Sequence, residues 1–417
     1  MNIFKYVTDV SLTPKSQKIL LAFFLVTILS CMAIGVRNTT LVPLWIPIMK
    51  EYLMWILAGV IYVFTYWNRE MTIVRMIKAL LPISVFMFNS VDVVSGGFQP
   101  NNVLTIILLV AFAFLEDSDL ILLVKFFRKF IILISVFGII ISLDFFLGIG
   151  LPHEINQYYS DGLNANYLNY YISYLYLDEV GVRLCGIFNE PGYFGTVLAL
   201  LLIIDKFNFK HKGNYLMFVA GCFTMSMAFF MLIIIGGILF CFKNMKSFII
   251  ACSLIFSFVY IVPNIHFENK SVAHLLERFQ FDSDEGTFKG DNRESSSFDV
   301  VFKEFDNNGN KILGEGTGYC GTKNVKQTSI YKKYIVEWGY LGFALTYGLL
   351  IIVAVLAAKL NIDALILVFC FAISIYQRPL VFTIPYFLIL FGGVAWMREK
   401  SLVLDSKKQD IVINDYE

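Results

Sequence analysis

Ten apolar stretches long enough to cross a bilayer follow one another along this chain, near residues 18–36, 51–67, 77–91, 102–116, 130–150, 185–205, 247–263, 335–357, 361–377 and 380–397. A hydrocarbon core ~30 Å thick is crossed by about 20 residues of helix, and inside it every backbone N–H and C=O must be bonded within its own segment. The series therefore predicts an all-α polytopic membrane protein. Composition agrees: 58% of residues are hydrophobic and 16% charged, with a mean hydropathy of +0.69, a balance foreign to soluble domains. A formal net charge of +1, with no basic block interleaved with aromatics, gives no footing for nucleic acid as a partner.

The segment Asn214–Phe242 is long for one span and short for two. Lys206, Lys210 and Lys212 precede it, Lys243 and Lys246 follow it, and cations are retained on the cytoplasmic side. Both ends then belong inside, so the segment enters and returns as two short helices turning near Thr224–Met227. About twelve crossings result, with both termini cytoplasmic. Most other cations fall inside as well, whereas the short outer loops hold only Arg37, Lys50, Arg183 and Arg378. The expected organisation is N-terminal helices over 1–150 and a first outer loop over 151–184. Helices follow over 185–263, including a hairpin at 214–242, then a large outer loop over 264–334, helices over 335–397 and a polar tail over 398–417. Within the large loop, Val272, Leu275, Leu276 and Phe279, and then Phe298, Val301, Phe302 and Phe305, recur at helical spacing and predict two short amphipathic helices. The first run follows Lys5, Lys15 and Lys18 as a signal peptide does, but it lacks a small-x-small cleavage site and reads as a retained helix.

Chemistry is concentrated at the entrance to one span. "RLCGIFNEPGYFG", Arg183–Gly195, places an arginine, a glutamate, a proline and three glycines directly before an apolar ramp. Irregular backbone at membrane depth is tolerated where it lines a cavity, and ionisable groups there face that cavity. Arg183 presents a planar fork of donors suited to phosphate oxygens. Glu190 is the first candidate for an acid–base group, the alternative being a plain ion pair with Arg183. Arg278 and Arg293 in the large loop are further anion candidates, against surface pairing with Glu277 and Asp291. Asp161 and His274 are weaker acid–base candidates, since solvated surface explains a loop histidine more simply. "GTGYCGTK", Gly316–Lys323, contains GxGxxG but has no βαβ setting, so a nucleotide role is set aside. Its consecutive backbone N–H groups, with Gly316 and Gly318, remain a weak phosphate candidate. Seven cysteines form no CxxC pair and the four histidines no HExxH, so no metal site is expected; a disulfide between Cys185 and Cys320 is disfavoured.

The motifs "RLCGIFNEPGYFG", "LLERF", "DNRESS", "ILGEGTGYCG" and "SIYKKYIVEWGYLGF" resemble the Wzy-type O-antigen polymerases and, more distantly, the O-antigen ligases. The likeness covers Arg183–Phe343. It implies a GT-C-like fold of the bacterial inner membrane whose large loop is periplasmic. The implied activity transfers a growing glycan from undecaprenyl diphosphate onto the next lipid-linked repeat unit, without cofactor or metal. Lipid-linked oligosaccharide donor and acceptor, membrane lipid and a chain-length regulator protein are the implied partners. Carried over, Arg183, Arg278 and Arg293 take the places of the family's arginines. No histidine lies between Gly314 and Tyr334, where ligases place one, which favours polymerase over ligase; "TMSMAFF", Thr224–Phe230, lacks an arginine common in relatives. A lipid-linked oligosaccharide flippase is the competing class. Transporters, however, gather such features near the midplane of two related halves, whereas here they gather at one face.

Overall fold

The computed structural model describes residues 14–32, 53–61, 76–83, 91–92, 97–98, 100–160, 163–178, 181–242, 281–282, 287–288, 296–323, 325, 331–379 and 382–414. Helices α1 (Pro14–Cys31), α2 (Pro100–Ala113) and α3 (Asp117–Leu147) lead into four strands. These are β1 (Glu154–Ser160), β2 (Leu163–Asn169), β3 (Tyr174–Asp178) and β4 (Gly181–Gly186). Then come α4 (Pro191–Ile204), α5 (Lys212–Phe223), α6 (Met227–Cys241) and α7 (Ser296–Asn308). After α8 (Tyr331–Phe343), a π-helical turn at Ala344–Gly348 runs straight into α9 (Leu349–Ala358), followed by α10 (Ile362–Gln377) and α11 (Ile384–Asn414).

Two helical stretches, Asp117–Leu147 and Tyr331–Ala358, are long and apolar enough to cross a membrane. At 1.5 Å per residue the first reaches roughly 46 Å, beyond the ~30 Å hydrocarbon layer, while the second is broken at Gly339 and its uninterrupted part, residues 340–358, reaches roughly 28 Å, close to that thickness. Their outward faces stay apolar: Leu133, Ile140 and Leu143 on α3 and Ile352, Val355 and Leu356 on α9 are all exposed. A helix in the core of a soluble protein would bury these side chains, so the mostly helical chain is consistent with a helical membrane protein. By contrast α4 is apolar on every side because it is central. Val197 through Ile204 are wholly buried, and α5, α6, α10, α11 and β4 pack around it.

The two ends of the bundle differ in kind. At one end charges are knitted together. Asp205, just past α4, accepts from Arg128 Nη2 at 3.1 Å, from Asn214 Nδ2 at 2.9 Å and from Lys400 Nζ at 2.7 Å. Lys206 pairs with Asp363, and Arg398 with Asp117 at 3.3 Å. At the other end lie the sheet, the turn between α5 and α6, the start of α8, the end of α10 and the start of α11.

Several expectations need correcting. The chain is not all-α: residues 154–160, 163–169, 174–178 and 181–186 form an antiparallel sheet in the order β1-β2-β3-β4 where a loop over 151–184 was expected. The span expected from 185 starts as helix only at Pro191, because 181–186 are strand. The last helix does not stop near 397 but continues to Asn414. In the Asn214–Phe242 segment the chain turns at Thr224–Ser226, with Met225 at φ 46°. The amphipathic pattern at 298–305 lies in α7, whose Phe298, Val301 and Phe305 form a small separate core with Cys320, Ile335 and Val336. The pattern at 272–279 lies outside the described residues. Cys185 and Cys320 are free thiols.

Candidate functional site

Side chains alternate across the sheet, and that alternation aims Arg183. Leu168, Leu175 and Leu184 are register partners and buried, with Leu184 seated against α3 at Gly138. The opposite face therefore carries the partnered row Tyr167, Tyr176 and Arg183. The Tyr167 hydroxyl donates to the Asn189 carbonyl at 2.8 Å, fixing the sheet to the segment that enters α4. Arg183 extends past the sheet to the α5–α6 turn, where Nε donates to the Thr224 carbonyl and Nη2 to the Met225 carbonyl, both at 3.2 Å.

Pro191 opens α4, where its fixed φ suits the first helical position and its missing N–H costs nothing. Glu190 before it is extended and makes no side-chain cap, which leaves its carboxylate to pair with Arg378. Arg378 ends α10, its backbone N–H donating to the Ser374 carbonyl at 2.7 Å. Its guanidinium lies over Gly192, where a Cβ would collide with it; only glycine leaves that space. The α5–α6 turn that Arg183 holds packs on α4 at Gly195, one helical turn beyond Gly192 where Arg378 lies, so the two guanidinium groups reach the same entrance from two sides. The adjacent wall is aromatic: Tyr193 stacks on Tyr386 with centroids 4.9 Å apart, and its hydroxyl meets Thr383 Oγ1 at 2.9 Å.

The chain matches no protein-family model, no curated protein and no solved structure.

Of the residues singled out from the sequence, Arg183 and Glu190 come together at this entrance. The ion-pair partner found for Glu190 is Arg378, where Arg183 was the alternative considered. Asp161, His274, Arg278 and Arg293 lie outside the described residues. The glycine-rich turn has other commitments: Glu315 N–H donates to the Val336 carbonyl at 2.8 Å and Gly316 N–H to the Glu337 carbonyl at 2.9 Å. Those groups dock the turn onto a break in α8 at Gly339, leaving fewer donors for an anion there. Gly318 starts the single helical turn Tyr319–Thr322. Among the described residues no cluster of three or more His, Cys, Asp or Glu is placed to hold a metal ion.

Arg378, Tyr193, Thr383 and Tyr386 were not selected from the sequence. The available signal for Arg378 was its place among the few outer-loop cations, against the usual charge bias. What the assembled groups can do is hold an anion on fixed guanidinium donors with a carboxylate within reach, beside rings that sugars and lipids both tolerate.

Proposed function

We propose that this chain is a glycosyltransferase of the Wzy-type O-antigen polymerase kind. It transfers a growing glycan from undecaprenyl diphosphate to a lipid-linked repeat unit at the periplasmic face of the bacterial inner membrane. In this reading the chain has about twelve spans in a GT-C-like arrangement, with both termini cytoplasmic. Lipid-linked donor and acceptor, membrane lipid and a chain-length regulator are its partners.

The observation that carries the reading is the Glu190–Arg378 pair at the entrance to α4, where Arg183 also reaches through the α5–α6 turn. α4 has 14 residues, roughly 21 Å of helix against ~30 Å of hydrocarbon. Taking Asp205, held among cations at the opposite end, as the edge of the layer, this reading sets the irregular stretch 187–190 within its thickness. Charged groups at that depth are costly unless they line a polar cavity. A diphosphate carried on a lipid reaches that depth, and the reaction needs what the cluster offers. Charge growing on the leaving diphosphate is met by preorganised guanidinium donors. The acceptor hydroxyl needs a carboxylate to take its proton, the part given to Glu190. Arg278, Arg293, Asp161 and His274 stay secondary candidates from sequence, as do the Gly316 and Gly318 backbones.

The test is the glycan ladder of a deletion strain. Core capped by a single repeat supports loss of a polymerase; bare core indicates a lost ligase or flippase, and an unchanged ladder removes the reading.

A further inference from the structure

We infer that the Glu190–Arg378 ion pair is an exchangeable lock: a lipid-borne diphosphate takes the place of the Glu190 carboxylate on Arg378, and the released carboxylate then serves as the base. The inference rests on the glycosyl-transfer reading and adds to it an order of events.

The two partners are unequal. The Glu190 side chain is 45% exposed and that of Arg378 only 15%. The guanidinium is the fixed member. Its backbone is bonded to α10, and the next residue, Pro379, accepts from the buried Tyr347 hydroxyl at 2.7 Å. Its planar group lies against Gly192 with no room for a Cβ between, and its Nε is buried without a hydrogen-bond partner among the described residues. The carboxylate is the movable member. Glu190 makes no side-chain cap, so swinging its side chain outward leaves the start of α4 intact; the backbone carbonyl still accepts from Tyr193 and Phe194 N–H at 3.1 and 3.3 Å.

Electrostatics makes the exchange one-for-one. A poorly solvated guanidinium left without an anion is strongly unfavourable, so Glu190 departs only as another anion arrives. A diphosphate brings more charge and more acceptor oxygens than a carboxylate, and it suits the planar fork. While paired, the Glu190 carboxylate is engaged by Arg378 and not presented to an acceptor hydroxyl. Once the donor is seated, the carboxylate is freed beside it. The acceptor oxygen then attacks the anomeric carbon, the bond from that carbon to the diphosphate oxygen breaks, and its electron pair stays on the diphosphate facing Arg378. The acceptor proton passes to Glu190 and on to water, so the carboxylate is available to take it only where a donor is present.

The test uses the purified full chain in detergent micelles, titrated calorimetrically with geranyl diphosphate and, separately, with inorganic pyrophosphate. Removing an internal competitor raises apparent affinity by the inverse of the open fraction. Glu190→Gln is therefore expected to bind geranyl diphosphate about tenfold more tightly than wild type, and Arg378→Gln about tenfold more weakly. Arg378→Lys, which keeps the charge but not the fork, should lie between and covers the case in which the Gln variant fails to fold. Pyrophosphate bound as well as the prenyl probe assigns the exchange to a free diphosphate too; pyrophosphate excluded assigns it to the lipid-borne group alone. Equal or weaker binding by Glu190→Gln would overturn the lock, as would a wild type that takes up neither probe. The polymerase reading is judged apart, by the ladder: an unchanged ladder with tighter Glu190→Gln binding removes polymerisation and leaves the exchange standing.

Discussion

The Tyr170 hydroxyl donates to Oδ2 of Asp144 at 2.8 Å, fastening the end of β2 to the last turn of α3. The other carboxylate oxygen accepts from the Leu151 N–H, also at 2.8 Å, so one buried side chain holds both the exit from α3 and the sheet. Hydrogen bonds to charged groups are the stronger kind, and local opening is governed by such contacts. Tyr170→Phe should therefore raise amide exchange in the four strands on the order of tenfold while leaving α4 to α6 unchanged. Unaltered protection of the strands would mean that packing of Leu168, Leu175 and Leu184 alone holds the sheet.

Asp205 is the acceptor shared by Arg128, Asn214 and Lys400, and only 3% of its side chain is exposed. Asp205→Ala strands cations at a closed end of the bundle, a loss of about 3–5 kcal/mol when a buried pair is broken from one side. Lys400→Met should cost less, since that side chain is about one-third exposed, and what it gives up besides the ion pair is the ammonium's contact over the Trp396 ring, 4.6 Å from its centroid. Thermal unfolding in detergent checks the order; equal midpoints for the two variants would show that the network is not where stability is held.

How much of this was legible follows from what sequence patterns encode. Apolar runs reveal helices because lipid and helix-lined cores make the same demand on every residue. The flanking lysines also revealed that the chain must turn back inside Asn214–Phe242. The sheet escaped because its strands are rich in Tyr and Asn and only one face is apolar. Its cues were Asp161-Gly162, a two-residue hairpin signal between the paired Ser160 and Leu163, and the alternation of Val182, Arg183 and Leu184. The Glu190–Arg378 contact could not be read at all, because it joins the entrance of α4 to the end of α10 and no local spacing links them.

The bundle ends are expected to lie on opposite sides of the membrane, the charged end inside. Truncation fusions to a compartment reporter after Lys210 and after Asn308 should give opposite signals, the first cytoplasmic. Matching signals would remove the orientation and with it the placement of Glu190 at the outer face.

Arg183 bridges two carbonyls with two different nitrogens, a geometry a lysine cannot reproduce. Arg183→Lys should shorten the glycan ladder at unchanged protein level, and a ladder of normal length would confine Arg183 to pinning the α5–α6 turn.

Gly192 offers the most selective way to disturb the entrance without touching a charge. A Cβ there meets the Arg378 guanidinium, whereas a Cβ at Gly237 in α6 meets nothing within 4 Å. Both sites are helical, so alanine gains roughly 1 kcal/mol of intrinsic helix preference at each, and any difference between them reports the local collision. The atoms met are the far end of the Arg378 side chain, so it is the guanidinium that must give way. Gly192→Ala should therefore displace Arg378 and reduce polymerisation by about a hundredfold, the scale of losing one well-placed electrostatic donor. Gly237→Ala should polymerise normally and melt no lower than wild type. Normal ladders from Gly192→Ala at wild-type protein levels would show that the position of Arg378 does not matter to the reaction, and would shift the search for the anion site to Arg278 and Arg293.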